Sequence, residues 1–323
     1  MQKNTISLSS GALMPLLGFG CWKIPKDQTA ETVLEAIKQG YRSIDQAADY
    51  GNEYECGLGI KQAIKEGIVK REDIWVTSKL WNTYHRKEHV KAACMKSLND
   101  LGLDYLDLYL IHFPLSIKFV PFEKRYPPGW LYDENSSVED PVPIRETWEA
   151  MEELVKEGLV KNIGLSNFNT SLIRDVLSYA KIKPAVLQVE LHPLNTQENL
   201  LKYCKDKDIV VTGYSPLGAG SYVTIGLSEK EENILQDENV KKIAQKYKKS
   251  PAQIILKWGT QRGTSLVVKS LKKERMKENL EIFDFSLNKE EMATISKFNQ
   301  NRKFNDPSMY SERAFKVFMP IYE

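Results

Sequence analysis

Eight short apolar runs, each followed by a stretch with helical periodicity, constrain this chain more than any other feature. The runs are LLGFG from Leu16, YRSID from Tyr41, DIWVTS from Asp73 and LDLYLIH from Leu106, then LVKNIGLS from Leu159, AVLQVE from Ala185, IVVTGYS from Ile209 and SLVVKS from Ser265. Each is bounded by polar or turn residues, as a strand covered on both faces should be. Between them lie amphipathic patterns such as TAETVLEAIKQG, KEHVKAACMKSLNDLG and IRETWEAMEELVKEG, all closing on glycine. Ser250-Pro251 opens PAQIILKWGTQRG as a cap followed by proline. Strict strand–helix alternation over 323 residues predicts one α/β domain spanning residues 1–323, a (β/α)8 TIM barrel. The preceding TISLSSGALMP, with Ser-Gly at its turn, predicts an N-terminal β-hairpin.

Two connections exceed the repeat, 113–143 and 214–237, and both fall on the face where barrel enzymes carry their sites. Loops longer than about 15 residues are usually functional or disordered. The first is rich in proline and aromatic residues (FVPFEKRYPPGWLY) and reads as an ordered pocket wall. After Asn288 come a further helix, KEEMATISKFN, and a tail ending in MPIYE that should cross or flank the barrel mouth.

The same alternation puts chemistry in one place. Asp45, Tyr50, Lys79 and His112 lie at or just beyond the ends of successive strands and should converge on one pocket. A phenol, an ammonium, a carboxylate and an imidazole together make a proton-donor site. Tyrosine, with an ordinary pKa near 10, is a poor donor at neutral pH, and Lys79 is expected to lower that value. Asp45 would keep the ammonium paired, since an isolated buried charge is too costly. Taken singly, each residue has a bland reading: a turn cap, a packed ring, a solvated lysine, a core histidine. His85 and His89 read as surface residues, and His192 as a pocket wall or strand-end support.

Charge argues against polyanionic partners. With 45 basic and 43 acidic residues the net charge is +2, so neither nucleic acid nor an anionic membrane is expected as a partner. No apolar run is long enough to span a bilayer, and the polar start MQKNTISLSSG lacks the core of a secretory leader. Cys21, Cys56, Cys94 and Cys204 show no metal-ligand spacing and read as reduced thiols, so a cytoplasmic location and no bound metal are expected. GFGCWK, GLGIKQ and GAGSYV each fail to complete G-x-G-x-x-G, which disfavours a Rossmann domain. Instead, Lys269, Lys272, Lys273 and Arg275 follow the eighth strand, where barrels often bind phosphate. A solvated basic helix start is the plainer reading of the same charges.

GFGCWK, YRSIDQAADYGNE, VTSKLWN, LYLIHFP, IGLSNF, QVELHP and GYSPLG appear in this order, and together they resemble the aldo-keto reductase family over essentially the whole chain. KLWNTYH, FVPFEKRYPPGW, VEDPVPIRETW and FNDP resemble its xylose reductase (aldose reductase-like) branch. The resemblance implies NAD(P)H-dependent reduction of an aldehyde, most readily an aldose such as D-xylose to its polyol. It assigns Asp45, Tyr50, Lys79 and His112 as the catalytic tetrad, with Tyr50 the general acid and His112 also touching substrate. It implies that Ser166, Asn167 and Gln188 hold the nicotinamide carboxamide, that Tyr214 stacks on the ring, and that Ser215 and Leu217 of GYSPLG flank the coenzyme. Lys269, Ser270, Arg275, Glu278 and Asn279 match the adenosine-phosphate end. Trp22, Asp49 and Asn305 match residues that touch the sugar.

Departures from the pattern bear on coenzyme and substrate. The usual I-P-K-S is Val267-Val268-Lys269-Ser270, and Leu271 stands where an asparagine that reaches the ribose often follows. Lys269 and Arg275 remain for a 2′-phosphate, so NADPH is expected, with NADH less favoured. Lys303 replaces an arginine before FNDP, and the tail after Pro307 is longer than that branch usually has. Arg125, Arg302 and Arg313 keep a sugar phosphate open as substrate, and a broad-specificity aldehyde or sugar-phosphate reductase is the alternative among enzymes. A non-catalytic binding or structural protein on the same fold is the alternative from another class. Monomer and homodimer stay equally open.

Overall fold

The computed structural model of the chain describes residues 4–133 and 136–322, leaving aside the side chains of Ser221, Thr224, Glu231, Met309, Tyr310, Arg313 and Ala314. A hairpin of β1 (Thr5–Ser7) and β2 (Leu13–Pro15) leads into β3 (Leu17–Gly20), β4 (Ser43–Asp45), β5 (Trp75–Leu80), β6 (Leu108–Ile111), β7 (Ile163–Ser166), β8 (Val186–Glu190), β9 (Val210–Tyr214) and β10 (Ser265–Val268). β3 to β10 pair in parallel, and β10 returns to β3, closing an eight-stranded barrel. Each predicted apolar run thus marks one barrel strand; seven strands lie within their runs, while β5 starts two residues later than DIWVTS and continues two residues past it to Leu80.

The helices follow from sequence chemistry. α1 (Lys26–Gln39) and α3 (Lys87–Leu101) stop at Gly40 and Gly102, both in the left-handed conformation that glycine adopts without a Cβ penalty. α8 (Pro251–Gln261) starts on Ser250, whose hydroxyl accepts from Gln253 N while the Gln253 side chain reaches back to Ser250 N. In α4 (Ile144–Lys156) the buried stripe Thr147, Trp148, Met151 and Leu154 recurs at three- and four-residue intervals. Each apolar side chain so buried contributes about 1.5–3 kcal/mol. α2 (Glu53–Lys65), α6 (Glu198–Asp206) and α7 (Glu238–Tyr247) complete the expected set, and α5 (Thr170–Tyr179), capped by the Asn169 side chain, lies between β7 and β8. α9 (Lys273–Leu280), α10 (Lys289–Ser296) and α11 (Ser308–Phe315) follow the last strand.

The hairpin plugs the bottom of the barrel. Leu8 and Met14 pack on Trp75, Leu108, Leu110, Ala185 and Val186. The site must therefore open at the other end, where strand register sets Ser166 beside Gln188 and Glu190 beside Tyr214. Gly164 permits the close approach of β7 to β8, since a Cβ there would lie 2.3 Å from Val186 O.

One placement differs from expectation. His85 is buried, not on the surface. Its carbonyl accepts from Thr147 Oγ1 at 2.7 Å, and burial pushes the ring down to about 4, so it is neutral. Thr147 belongs to the inward stripe of α4, which sequence spacing around His85 cannot reveal. His89 is half-buried, with its ring stacked 3.7 Å from that of Phe119. All four cysteines are buried free thiols. Among the described residues no helix is long and apolar enough to cross a membrane, and no group of His, Cys, Asp and Glu could hold a metal ion.

Candidate active site

Asp45 and Lys79 meet at the core of the barrel mouth. Lys79 is fully buried, and its ammonium donates to Asp45 Oδ1 (2.7 Å), Gln46 O (2.8 Å) and Tyr50 OH (3.2 Å). All three N–H bonds are thereby used, which makes a buried ammonium tolerable. An ammonium has no lone pair, so the Tyr50 oxygen must accept from it. The phenolic proton is then not held by Lys79 and is free to be donated into the cavity that Tyr50 lines.

Tyr50 does not titrate as expected. Its pKa is pushed well above 10, first by burial and then by the Asp45 carboxylate. Lys79 therefore does not prepare a tyrosinate in this state. Tyr50 keeps its proton at neutral pH, and the ammonium acts on the negative charge that appears when the proton leaves.

His112 faces Tyr50 edge-on, with ring centres 5.9 Å apart, and rests between Trp81 (5.2 Å) and Phe113 (5.0 Å). Burial, then the Lys79 charge, hold it well below 6.5, so it is neutral. Its Nδ1 is buried without a partner. A bare lone pair costs less there than an unpaired N–H, which favours the proton on Nε2, where it can be donated to a substrate oxygen.

These groups open on a cavity of about 1120 Å³, above the usual range of about 300–1,000 Å³ for small-molecule sites. At one end Trp22, Asp49 and Asn305 line it, together with Trp81, Phe113 and Trp130. Trp81 donates its indole N–H to Gly129 O (2.9 Å) and packs edge-on to Trp130 at 5.0 Å, so the first long connection does supply a wall. Burial pushes the Asp49 carboxyl up to about 8.

Midway, Ser166, Asn167, Gln188, Tyr214, Ser215 and Leu217 line the wall. Two of these are more committed than expected. Gln188 Nε2 donates to Asp45 Oδ2 (2.7 Å), so its amide N–H holds the tetrad and its carbonyl is the end left for a ligand. Asn167, at a left-handed φ of 65°, a region asparagine tolerates better than most residues, donates to His112 O (2.9 Å) and Ser166 Oγ (3.2 Å). Its Oδ1 accepts from Tyr214 OH (2.7 Å), and the Tyr322 hydroxyl oxygen stands 3.3 Å away. Tyr322, not foreseen from sequence, also donates to Asn305 O (2.9 Å), which brings the tail onto the mouth.

At the far end lie Lys269, Ser270, Arg275, Glu278 and Asn279, with Lys272 and the Ser250–Ala252 start of α8. Lys23 also faces this stretch; its ammonium is lowered by burial and by the Lys269 charge. Two cations that raise each other's cost are relieved by an anion between them. Lys273 is directed elsewhere, to Glu35 at 3.0 Å. The arginines that kept a sugar phosphate open are also engaged: Arg302 pairs with Glu232 (2.7 Å), Arg125 donates to Leu131 O, and neither lines the cavity. The side chain of Arg313 lies outside the described residues. His192 resolves to strand-end support, since its buried Nε2 stands 2.8 Å from Glu190 Oε1.

A cavity of about 1120 Å³ lined both by the proton donor Tyr50 and by the cations Lys23, Lys269, Lys272 and Arg275 has room and charge for a dinucleotide coenzyme. Residues 16–300 match the model of the aldo/keto reductase family, and the chain belongs to that family. Among its relatives, the NADPH-dependent aldose reductase GRE3 of Saccharomyces cerevisiae is 48% identical over 326 aligned residues, covering 98% of this chain and 100% of that protein. The NAD(P)H-dependent D-xylose reductase I,II of Candida tropicalis is 48% identical, covering 94% of each chain. The NAD(P)H-dependent D-xylose reductase of Pachysolen tannophilus is also 48% identical, covering 95% and 97%.

Proposed function

We propose that this chain is an NADPH-dependent aldose reductase that reduces the open-chain aldehyde of sugars such as D-xylose to the polyol. The observation that carries the reading is the donation from Lys79 to Tyr50 at the cavity wall, which leaves the phenolic proton free to be given to a ligand there. A reduced nicotinamide bound along the cavity would supply the hydride. Tyr50 gives its proton to the carbonyl oxygen, and Lys79, held by Asp45, stabilises the tyrosinate left behind. Neutral His112 donates from Nε2 to the same oxygen and fixes its position. General acid assistance of this kind is worth about 10² to 10⁴ in rate.

A bound coenzyme would be held at its carboxamide by Ser166 and the Gln188 carbonyl, and Tyr214 would give up its bond to Asn167 to cover the ring. Ser215 and Leu217 would flank the coenzyme. Lys269, Ser270 and Arg275 would take the 2′-phosphate, with Glu278 and Asn279 at the adenosine. Relatives named for both coenzymes keep NADH as the weaker substitute. Trp22, Asp49 and Asn305 take the sugar: two hydrogen-bonding side chains against an aromatic wall suit a polyhydroxylated substrate. The engaged Arg125 and Arg302 give no support to an aldose phosphate. The chain works as one domain over residues 1–323, as a monomer or homodimer, and four buried free thiols fit the cytoplasm.

The test is a set of kcat/KM values for D-xylose, other aldoses, aldose phosphates and simple aldehydes with NADPH and NADH. Aldoses with NADPH should lead. NADPH binding, seen by nicotinamide fluorescence, without turnover of any aldehyde would make the chain a binding protein and end the proposal.

A further inference from the structure

Glu190 has no part in the chemistry above, yet its carboxyl group is among the most heavily engaged near the mouth. It ends β8, is 4% exposed, and stands across the ladder from Tyr214. It accepts the backbone N–H of Phe304 (2.9 and 3.1 Å to its two oxygens) and that of Asn305 (2.9 Å), with His192 Nε2 at 2.8 Å. Phe304 and His192 are themselves buried, so water does not stand in for these bonds. The segment it grips lies more than a hundred residues further on, between α10 and α11, and carries the cavity-lining Asn305.

The Asn305 side chain donates from Nδ2 to Tyr214 OH (3.1 Å). Its place in the cavity wall thus depends on three anchors: its backbone N–H to Glu190, its carbonyl to Tyr322 OH, and its side chain to Tyr214. If Tyr214 moves to cover a bound coenzyme, the side-chain anchor is released and the backbone bond to the buried Glu190 remains. Glu190 Oε2 accepts both backbone N–H groups, while Oε1 accepts the Phe304 N–H and faces His192 Nε2. A glutamine must put its NH2 in one of these two places: at Oε2 it leaves the Asn305 N–H unpaired, and at Oε1 it sets a donor against the Phe304 N–H and forces the His192 proton onto its buried, unpartnered Nδ1.

We infer that Glu190 is a positioning residue for sugar recognition: it fixes the backbone of Phe304 and Asn305 so that the Asn305 amide meets the hydroxyls of an aldose, and so sets the preference for hydroxylated over plain aldehydes. The inference rests on the aldose reading above. The tetrad has its own supports, Gln46 and Gln188, so reduction of an aldehyde without hydroxyls does not draw on Glu190.

The experiment measures kcat and KM for D-xylose and for n-butanal with NADPH in the wild type, Glu190→Gln, Glu190→Asp, Asn305→Ala and the Glu190→Gln/Asn305→Ala double variant. Glu190→Gln should lower kcat/KM for xylose roughly 10- to 100-fold, mainly through KM, and that for butanal by less than about twofold. Glu190→Asp, which keeps both acceptors but one methylene short, should fall between. In the Asn305→Ala background Glu190→Gln should cost xylose less than about threefold more, because the residue it positions is gone. Equal losses on xylose and butanal, including loss of the folded protein in both Glu190 variants, overturn the inference and leave the aldose reading standing. A wild type that reduces butanal but no aldose removes that reading, and the inference with it.

Discussion

The two ends of the cavity are built differently. At the tetrad, Lys79 is fully buried, its three N–H bonds are satisfied, and Asp45 is held on its other oxygen by Gln188. At the phosphate end the side chains of Lys269, Leu271, Lys272 and Arg275 are exposed at the rim. On the proposed reading the chemistry is organised before any ligand arrives, whereas coenzyme selectivity would rest on exposed charges that a phosphate must gather. Substitutions at the first end should therefore act on rate, and those at the second on binding.

The largest effect expected within that contrast is at Lys79. Lys79→Met leaves no cation beside the forming tyrosinate, and the rate of aldehyde reduction should fall by at least about 10², with coenzyme affinity nearly intact. Asp45→Asn should be milder, since Lys79 keeps its charge and its bonds to Gln46 and Tyr50. Single-turnover rates beside fluorescence-derived dissociation constants separate the two effects. A variant that loses binding and rate together would erase the distinction between the ends.

At the other end, Arg275→Ala should weaken NADPH about tenfold to a hundredfold and change NADH little, because a charge-assisted contact to phosphate is worth roughly 1.5–3 kcal/mol. Dissociation constants for both coenzymes decide this, and equal weakening would show that Arg275 does not read the phosphate. Leu271, 45% exposed at the rim, offers no hydrogen bond to a ribose hydroxyl. Leu271→Asn should improve NADH by about fivefold, the worth of one neutral hydrogen bond, and NADPH less. Titration of NADH into both proteins checks it.

The smallest effect concerns Asp49. Its pKa is raised from 3.8 to about 8, so the folded protein binds a proton there that the unfolded chain has released. The stability this confers is complete below about pH 4 and is lost as pH rises through about 8. Asp49→Asn cannot ionise. It should raise Tm relative to the wild type at pH 9, with the difference shrinking toward pH 4. A difference independent of pH would mean that the Asp49 carboxyl is ionised in the fold as it is in water.

Much of this was legible in the chain because it is local. Every barrel strand coincides with an apolar run, β5 alone continuing past its run, and the tetrad residues lie at or just beyond strand ends that the fold must bring together. Trp81 could have been read too, since it directly follows β5, much as Trp22 lies two residues past β3. The rest depends on contacts between distant segments. Glu190 looks like an ordinary strand-end acid until its bonds to Phe304 N and Asn305 N are seen, and backbone donors leave no mark in a sequence. Tyr322 sits in an apolar tail, and only the closed mouth brings its hydroxyl to Asn167 and Asn305. The Tyr50 titration was misjudged for a related reason. Adjacency to Lys79 can be inferred from strand order, but the burial that outweighs it cannot.

The assignment of Tyr50 as the acid is tested most directly by Tyr50→Phe, which removes one oxygen and leaves the coenzyme contacts in place. The measurement is the single-turnover oxidation of bound NADPH by an aldose, with the NADPH dissociation constant taken on the same protein. A proton donor at Tyr50 predicts a dissociation constant within about twofold of the wild type and a rate lower by at least about 10². A rate near that of the wild type would contradict it and move the acid to another residue.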